Sequence, residues 1–147
     1  MNIKINVQGY AVDNGKRSAK LIASYINEAI REKGEARIVV STGSSQFEMF
    51  QALIKEDVDW SKVVMFHLDE YVGLPITHKA SFRKYLYERF TSLVPLKEVH
   101  FVDGEGDVEK TIKNLTEELR KDVIDVGIIG IGENGHIAFN DPPADFD

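Results

Sequence analysis

The segment that decides the fold runs from residue 63 to residue 70 and reads Val63-Val64-Met65-Phe66-His67-Leu68-Asp69-Glu70. Its first part, Val63–Leu68, is an apolar run of the kind found in strands buried on both faces of a parallel sheet. Two adjacent carboxylates follow where this strand would end. A second run, Ile124–Ile131, has the same character and is also followed by a polar loop. The two runs predict a sheet with chemically active side chains just beyond its strands.

Strand patterns and helix patterns alternate outward from this segment. Residues 2–7 alternate apolar and polar side chains as a strand does, and Gly34 is a plausible stop for the first helix. The periodicity predicts strands at 2–7, 37–40, 63–68, 99–102 and 124–131, and helices at about 14–32, 47–54, 82–93 and 108–119. The order βαβαβαβαβ predicts an α/β, Rossmann-like fold with a mostly parallel sheet and helices on both faces. Ligands of such sheets bind outside the carboxyl ends of the strands.

Composition excludes several classes of protein. The chain has 147 residues, 43% of them hydrophobic, which is enough for one α/β domain with a core. A net charge of −6 argues against a nucleic-acid partner, and the absence of cysteine excludes disulfides, thiolate metal sites and a cysteine nucleophile. The N-terminus lacks a signal-peptide pattern, and no stretch approaches membrane-spanning length. We therefore expect a cytoplasmic protein with no membrane partner.

A small-residue turn follows the second predicted strand. Ser41-Thr42-Gly43-Ser44-Ser45 leads from that strand into a helix. Small residues let backbone N–H groups approach an anion, and hydroxyls add further donors, so the turn suits a phosphate. An ordinary serine-rich turn that caps the helix is an equal alternative at this point.

Two further strand-end segments carry groups that can move protons. Asp69 and Glu70 are adjacent, and strand alternation would point them in different directions, so only one is expected to act as a general base. Beyond the last strand, His136 lies two residues after Asn134 and five before Asp141. Such a loop can hold an imidazole oriented by polar partners, which is a general acid/base unit.

Two other interpretations of these segments are disfavoured. Gly130, Gly132 and Gly135 match a dinucleotide-binding fingerprint, but Asn140-Asp141-Pro142-Pro143 cannot open the helix that it requires. A metal site from His67, Asp69, His136 and Asp141 lacks any helical ligand spacing. We therefore expect no metal and no cofactor.

Taken together, the motifs resemble the glucosamine-6-phosphate deaminase/isomerase family over essentially the whole chain. The carrying pieces are the segment 68–74, Leu-Asp-Glu-Tyr-Val-Gly-Leu, and the segment 132–142, Gly-Glu-Asn-Gly-His-Ile-Ala-Phe-Asn-Asp-Pro, supported by the Thr42-Gly43 turn. The related 6-phosphogluconolactonases share the fold and a Gly-His loop. Tyr71 and the run Ile137–Asn140 favour the deaminase side.

The resemblance implies a reaction and a role for each residue. An amino-sugar phosphate such as glucosamine 6-phosphate is opened, isomerised to a ketose and loses ammonia, which yields fructose 6-phosphate. Asp69 matches the base that moves a proton between C1 and C2. His136 matches the acid/base of ring opening, assisted by Asn134 and Asp141. The phosphate loop is matched in part by Thr42, Gly43, Ser44 and Ser45.

Alternatives remain within this resemblance. A 6-phosphogluconolactonase-type hydrolase and a non-catalytic sugar-phosphate-binding module use the same fold. The family's chain continues well past the histidine loop, so we expect residues 1–147 to be a single domain, truncated at the C-terminus and weakly active or inactive alone. A small sugar phosphate is the expected partner, and the full-length protein allows a homo-oligomer.

Overall fold

A computed structural model describes residues 3–141, which form four helices and four strands. The helices are α1 (Ala11–Lys33), α2 (Phe47–Leu53), α3 (Phe82–Leu86) and α4 (Val108–Leu119), and the strands are β1 (Ala36–Val40), β2 (Val63–His67), β3 (Glu98–His100) and β4 (Val126–Ile128). Short 3₁₀ turns lie at Ser44–Gln46 and Trp60–Lys62, and α3 continues as a π-helical turn at Tyr87–Thr91. Asn2 of the predicted first strand, and Pro142 and Pro143, lie outside the described residues.

The sheet is parallel throughout, in the order β3-β2-β1-β4. At its centre, Ile38 of β1 lies opposite Met65 of β2 and Val126 of β4. The chain runs from β1 outward through β2 to β3 and then returns to the other side of β1 as β4. The order therefore reverses between β1 and β4, which is where ligands of such sheets bind. The predicted α/β class and parallel sheet are confirmed.

The main core lies on one face of the sheet, where α1, α2 and the α3 segment pack. Alternate residues of β1, Ala36, Ile38 and Val40, point into it and are fully buried. Burying each large apolar side chain contributes roughly 1.5–3 kcal/mol. The largest members are Phe50, Phe90, Ile26, Ile38, Leu53, Met65 and Leu86.

The opposite face is covered more thinly by α4. The guanidinium of Arg37 on β1 donates to the carbonyl oxygens of Glu118, Leu119 and Asp122 at the end of α4. Arg37 also lies over the ring of Phe66, 4.9 Å from its centroid. Helix α4 itself has no buried residue. Both faces of the sheet thus carry helices, as predicted, but with very different amounts of apolar contact.

The predicted helices agree with the observed ones to within a few residues. Helix α1 ends at Gly34, as predicted, because Gly34 adopts a left-handed φ of 81° and its N–H donates to Ile30 O at 2.8 Å. The helix predicted over 82–93 is regular only to Leu86 and then widens into the π turn.

Two predictions about strands are wrong. Residues 3–7 are not a strand, and Ile3, Ile5 and Val7 are 81–85% exposed. Their alternation is a local pattern, whereas a strand needs a partner, and no described strand pairs with them. The last strand covers only 126–128 of the expected 124–131, and Ile131 is 74% exposed. Among residues 3–141, β4 pairs only with β1, so its outer edge and neighbouring apolar side chains are not buried.

No helix within residues 3–141 combines the length and the apolar character that a bilayer-spanning segment needs.

Candidate active site

A pocket of about 380 Å³ lies beyond the carboxyl ends of β1, β2 and β4, at the reversal of strand order. This is large enough for a small-molecule ligand. Of the eight residues to which the resemblance assigns a catalytic or phosphate-binding role, Asn134 alone does not line it. Those that do are Thr42, Gly43, Ser44, Ser45, Asp69, His136 and Asp141.

The turn after β1 is held by hydrogen bonds on both sides. Ser41 Oγ accepts the Gly130 N–H at 2.7 Å, which ties the turn to the segment after β4. Gly43 has a φ of 129°, a conformation that other residues rarely adopt. Tyr85 Oη donates to Gly43 O at 2.8 Å, and burial raises the pKa of Tyr85 to about 12, so the phenol stays protonated. The hydroxyls and N–H groups of the turn thus border the pocket from a fixed backbone.

The two adjacent carboxylates have different environments. Asp69 lines the pocket, and burial raises its pKa, helped by the charge of Glu70 and opposed by that of His136. A carboxylate with a raised pKa is a stronger base than an ordinary carboxylate. His136 lines the same pocket, so both groups face one cavity.

Glu70 is buried beside the pocket and makes structural contacts. Its carboxylate accepts hydrogen bonds from the Ser81 hydroxyl at 2.8 Å and from the backbone N–H groups of Tyr71, Phe82 and Arg83 at 2.9–3.1 Å. It also pairs with the Arg83 guanidinium at 3.2 Å. Burial acts to raise the pKa of Glu70, but these hydrogen bonds outweigh it and the pKa is lowered. Glu70 is therefore a fixed anion that holds the segment 69–83.

Arg83 extends this anchor to another loop. Arg83 is 5% exposed. Its guanidinium pairs with Asp103 and Glu105, both at 2.8 Å, and donates to Leu74 O at 2.9 Å. Helix α3 begins beside it, where Ser81 accepts from the Lys84 N–H. The sequence offered no signal for Arg83, because its partners lie 9 to 22 residues away.

The histidine loop orients its imidazole through Nδ1. His136 Nδ1 is in contact with Asn134 Oδ1 and lies 3.2 Å from Asp141 Oδ1. Asn134 Nδ2 donates to the same Asp141 oxygen at 3.2 Å. Both neighbours of Nδ1 are acceptors, so they favour the tautomer protonated there and leave Nε2 as the basic nitrogen. Asn134 thus reaches the site through His136 although it does not line the pocket.

The close approach of the imidazole to the backbone explains one glycine. A Cβ placed on Gly132 would overlap the His136 ring. The Gly132 N–H also donates to His136 O at 2.9 Å, so the loop folds back on itself. The close contact with the imidazole thus requires a glycine at position 132, a requirement that neither the rejected dinucleotide fingerprint nor the segment 132–142 had indicated.

An aromatic cluster that the sequence did not predict joins the segment after β2 to the loop that carries His136. Tyr71, Phe82 and Phe139 have centroids 4.9–5.7 Å apart and all line the pocket. Tyr71 follows the carboxylate pair, and Phe139 follows the histidine. Tyr71 and Phe139 belong to the segments 68–74 and 132–142 that carry the resemblance, but nothing in the sequence indicated that their rings are in contact.

The four residues considered for a metal site do not converge. His67 does not line the pocket; its Nε2 accepts the Val102 N–H at 2.8 Å, and its Nδ1 has no hydrogen-bond partner among the described residues. Burial lowers the pKa of His67 to about 4, against the opposing charge of Glu70, so it is neutral.

Comparison with known proteins identifies the family. Residues 13–140 match the model of the glucosamine-6-phosphate isomerases/6-phosphogluconolactonase family, and the chain belongs to this family. It is 35% identical over 137 residues to a glucosamine-6-phosphate deaminase of Streptococcus thermophilus, covering 92% of this chain and 57% of that one. It is 40% identical over 129 residues to glucosamine-6-phosphate deaminase 1 of Giardia intestinalis, covering 82% of this chain and 48% of that one.

Solved structures with the same family names have a similar fold. A monomeric glucosamine-6-phosphate deaminase superposes with a TM-score of 0.83 at 25% identity, covering 99% of this chain and 62% of that one. A 6-phosphogluconolactonase from Shewanella baltica gives a TM-score of 0.74 at 26% identity, covering 87% and 56%. The chain thus spans 48–62% of the length of these relatives.

Proposed function

We propose that the protein is a cytoplasmic enzyme that converts glucosamine 6-phosphate to fructose 6-phosphate and ammonia. The observation that carries the proposal is the single pocket lined by Asp69, His136 and the turn Thr42–Ser45. One carboxylate with a raised pKa, one oriented imidazole and one anion-binding turn are the groups that this reaction needs. The relatives named as glucosamine-6-phosphate deaminases support the choice of substrate.

Ring opening is the proposed task of His136. Its Nε2 takes the proton of the anomeric hydroxyl and returns one to the ring oxygen, which breaks the bond between C1 and that oxygen. Asn134 and Asp141 hold the imidazole through Nδ1 and stabilise it while it carries both protons.

Isomerisation is the proposed task of Asp69. The carboxylate removes the proton on C2 while the C1 carbonyl oxygen gains a proton, which gives an enolamine. Returning a proton to C1 leaves an imine at C2, and water then adds to that imine and releases ammonia. The turn Thr42–Ser45 holds the phosphate so that C1 and C2 face Asp69.

A small sugar phosphate is the proposed partner, with no nucleic acid, and a homo-oligomer is allowed for the complete protein. The lactonase likeness supplies the competing activity, hydrolysis of a phosphorylated sugar lactone. Tyr71 and the run Ile137–Asn140 favour the deaminase. A sugar-phosphate-binding module without catalysis is the third possibility that the assay addresses.

The test is a substrate panel on the complete gene product. Ammonia release is measured with glucosamine 6-phosphate and its epimers, and acid release with 6-phosphogluconolactone. We expect ammonia from an amino-sugar phosphate and no faster lactone hydrolysis than without enzyme. Lactone turnover without ammonia release would establish the competing activity, and binding without either product would establish the module.

A further inference from the structure

A cluster of side chains of the types that can ligate a metal lies outside the pocket, between β3 and α4. Glu98 and His100 are two residues apart on β3 and so share one face of the strand, and Glu118 reaches them from α4. His100 Nε2 lies 3.0 Å from Glu98 Oε2. One ligand atom from each of the three residues falls within 4.8 Å of the other two. Within residues 3–141 this is the one such group of three.

The imidazole of this cluster is held in position. His100 stacks on the ring of Phe66, its register partner on β2, with centroids 4.7 Å apart and planes inclined by 12°. The cation of Arg37 covers Phe66 in turn. Since the ring is packed flat against a buried side chain, His100 has little freedom to tilt the plane of its imidazole. A ligand that is already oriented loses less entropy when it binds a metal.

The donor set selects a class of metal. Zinc binds both imidazole nitrogen and carboxylate oxygen, at about 2.0–2.2 Å, and accepts water as a fourth ligand beside three protein ligands. Magnesium and calcium prefer oxygen donors alone. A dication would also neutralise the two negative charges that Glu98 and Glu118 bring together.

The main competitor for the cluster is a surface lysine. Lys121 Nζ contacts Glu118 at 2.6 Å and has a side chain 65% exposed. An exposed ion pair of this kind contributes only about 0–1 kcal/mol, so its displacement by a dication costs little. Lys121 lies at the end of α4 and can turn outward without moving the helix.

A metal here would have a structural consequence. Helix α4 has no buried residue, and the guanidinium of Arg37 donates to its carbonyl oxygens at Glu118 and Leu119. We propose that Glu98, His100 and Glu118 form a site for zinc or a similar divalent transition metal that fastens α4 to the edge strand β3. The proposal is independent of the reaction in the pocket.

The experiment is titration of zinc chloride into metal-free protein, followed by calorimetry and by thermal unfolding. We expect one ion per chain at this site and a rise in Tm. His100→Gln and Glu118→Gln should each weaken this binding by at least about tenfold and remove most of the rise in Tm. Glutamine keeps the size and polarity of both positions, so the fold should persist, which the unfolding curves themselves check.

Two histidine variants are the controls. His78→Gln replaces an exposed histidine, and His136→Gln replaces the histidine of the pocket. Both should bind zinc at the β3–α4 site as the parent does. Zinc binding that survives in His100→Gln, that disappears in His136→Gln, or that is absent from the parent at about 100 µM zinc would overturn the proposal.

Discussion

Asp69 and Glu70 are neighbours in the chain but differ in what surrounds them: Asp69 lines the pocket with a raised pKa, while Glu70 is 7% exposed, makes an ion pair with Arg83 and has a lowered pKa. The fold thus disfavours the ionised form of Asp69 and favours the ionised form of Glu70. Asp69, whose charge the fold disfavours, is the proposed base, as expected where function is kept at some cost to stability.

Substitutions of Asp69 and of Glu70 should have different effects, the first on activity and the second on stability. Asp69→Asn removes the base and should lower kcat by roughly 10²–10⁴-fold. It should not lower the free energy of unfolding, because the fold disfavours the Asp69 charge. Glu70→Gln leaves part of the Arg83 charge unmatched, so it should lower the free energy of unfolding by about 1–3 kcal/mol. Urea unfolding and steady-state kinetics on both variants measure this.

The reverse pattern would contradict the assignment. If the folded Glu70→Gln protein loses turnover while Asp69→Asn keeps it, the base is Glu70.

Gly132 should be needed for the position of His136. In Gly132→Ala the new methyl group overlaps the imidazole, so the ring must move. A displacement of about 1 Å costs about 10²-fold in rate, and kcat/KM should fall by that order. The matched control is Gly127→Ala, where a Cβ would meet Ile129 and Val39 atoms at 3.6–3.8 Å, an ordinary contact. Equal activity in both variants would show that the ring has room.

His67 should make stability depend on pH. Its pKa is about 4 in the fold, against an ordinary value of 6.5, so between these values the unfolded chain binds the additional proton. Stability is therefore complete above pH 6.5 and falls as the pH is lowered toward 4, by up to about 3 kcal/mol. His67→Gln does not titrate, and its amide oxygen can still accept from Val102.

Urea unfolding between pH 4 and 7 measures this contribution. The parent should show a steeper loss of stability toward acid than His67→Gln. Parallel pH profiles would mean that His67 is not the group responsible.

Affinity for the sugar phosphate should be weak in residues 1–147 alone. None of the described residues that line the pocket is Lys or Arg, so the anion is held only by neutral donors. We expect a Kd for glucosamine 6-phosphate weaker than about 1 mM by calorimetry. A Kd in the micromolar range for this segment would show that the turn suffices.

The sequence predicted what depends on local pattern. Helical periodicity placed α1 and its stop at Gly34, and apolar runs placed β2 together with the carboxylates at its end. The strand predicted at 2–7 failed because alternation does not supply a pairing partner. Strand alternation indicated that only one of Asp69 and Glu70 faces a ligand, and the family resemblance indicated which. The ion pair of Glu70 with Arg83 and the bond from Tyr85 to Gly43 could not be predicted, since they join segments that only the folded chain brings together.

The proposed mechanism requires Asp69 to break the bond between C2 and its hydrogen. The direct test uses glucosamine 6-phosphate deuterated at C2 with the complete gene product, and NMR follows the label while ammonia is measured. The proposed role of Asp69 predicts that each ammonia released is accompanied by loss of deuterium from C2, and that Asp69→Asn abolishes both in a folded protein. Ammonia release with the C2 label intact, or label loss at the parent rate in Asp69→Asn, would contradict it.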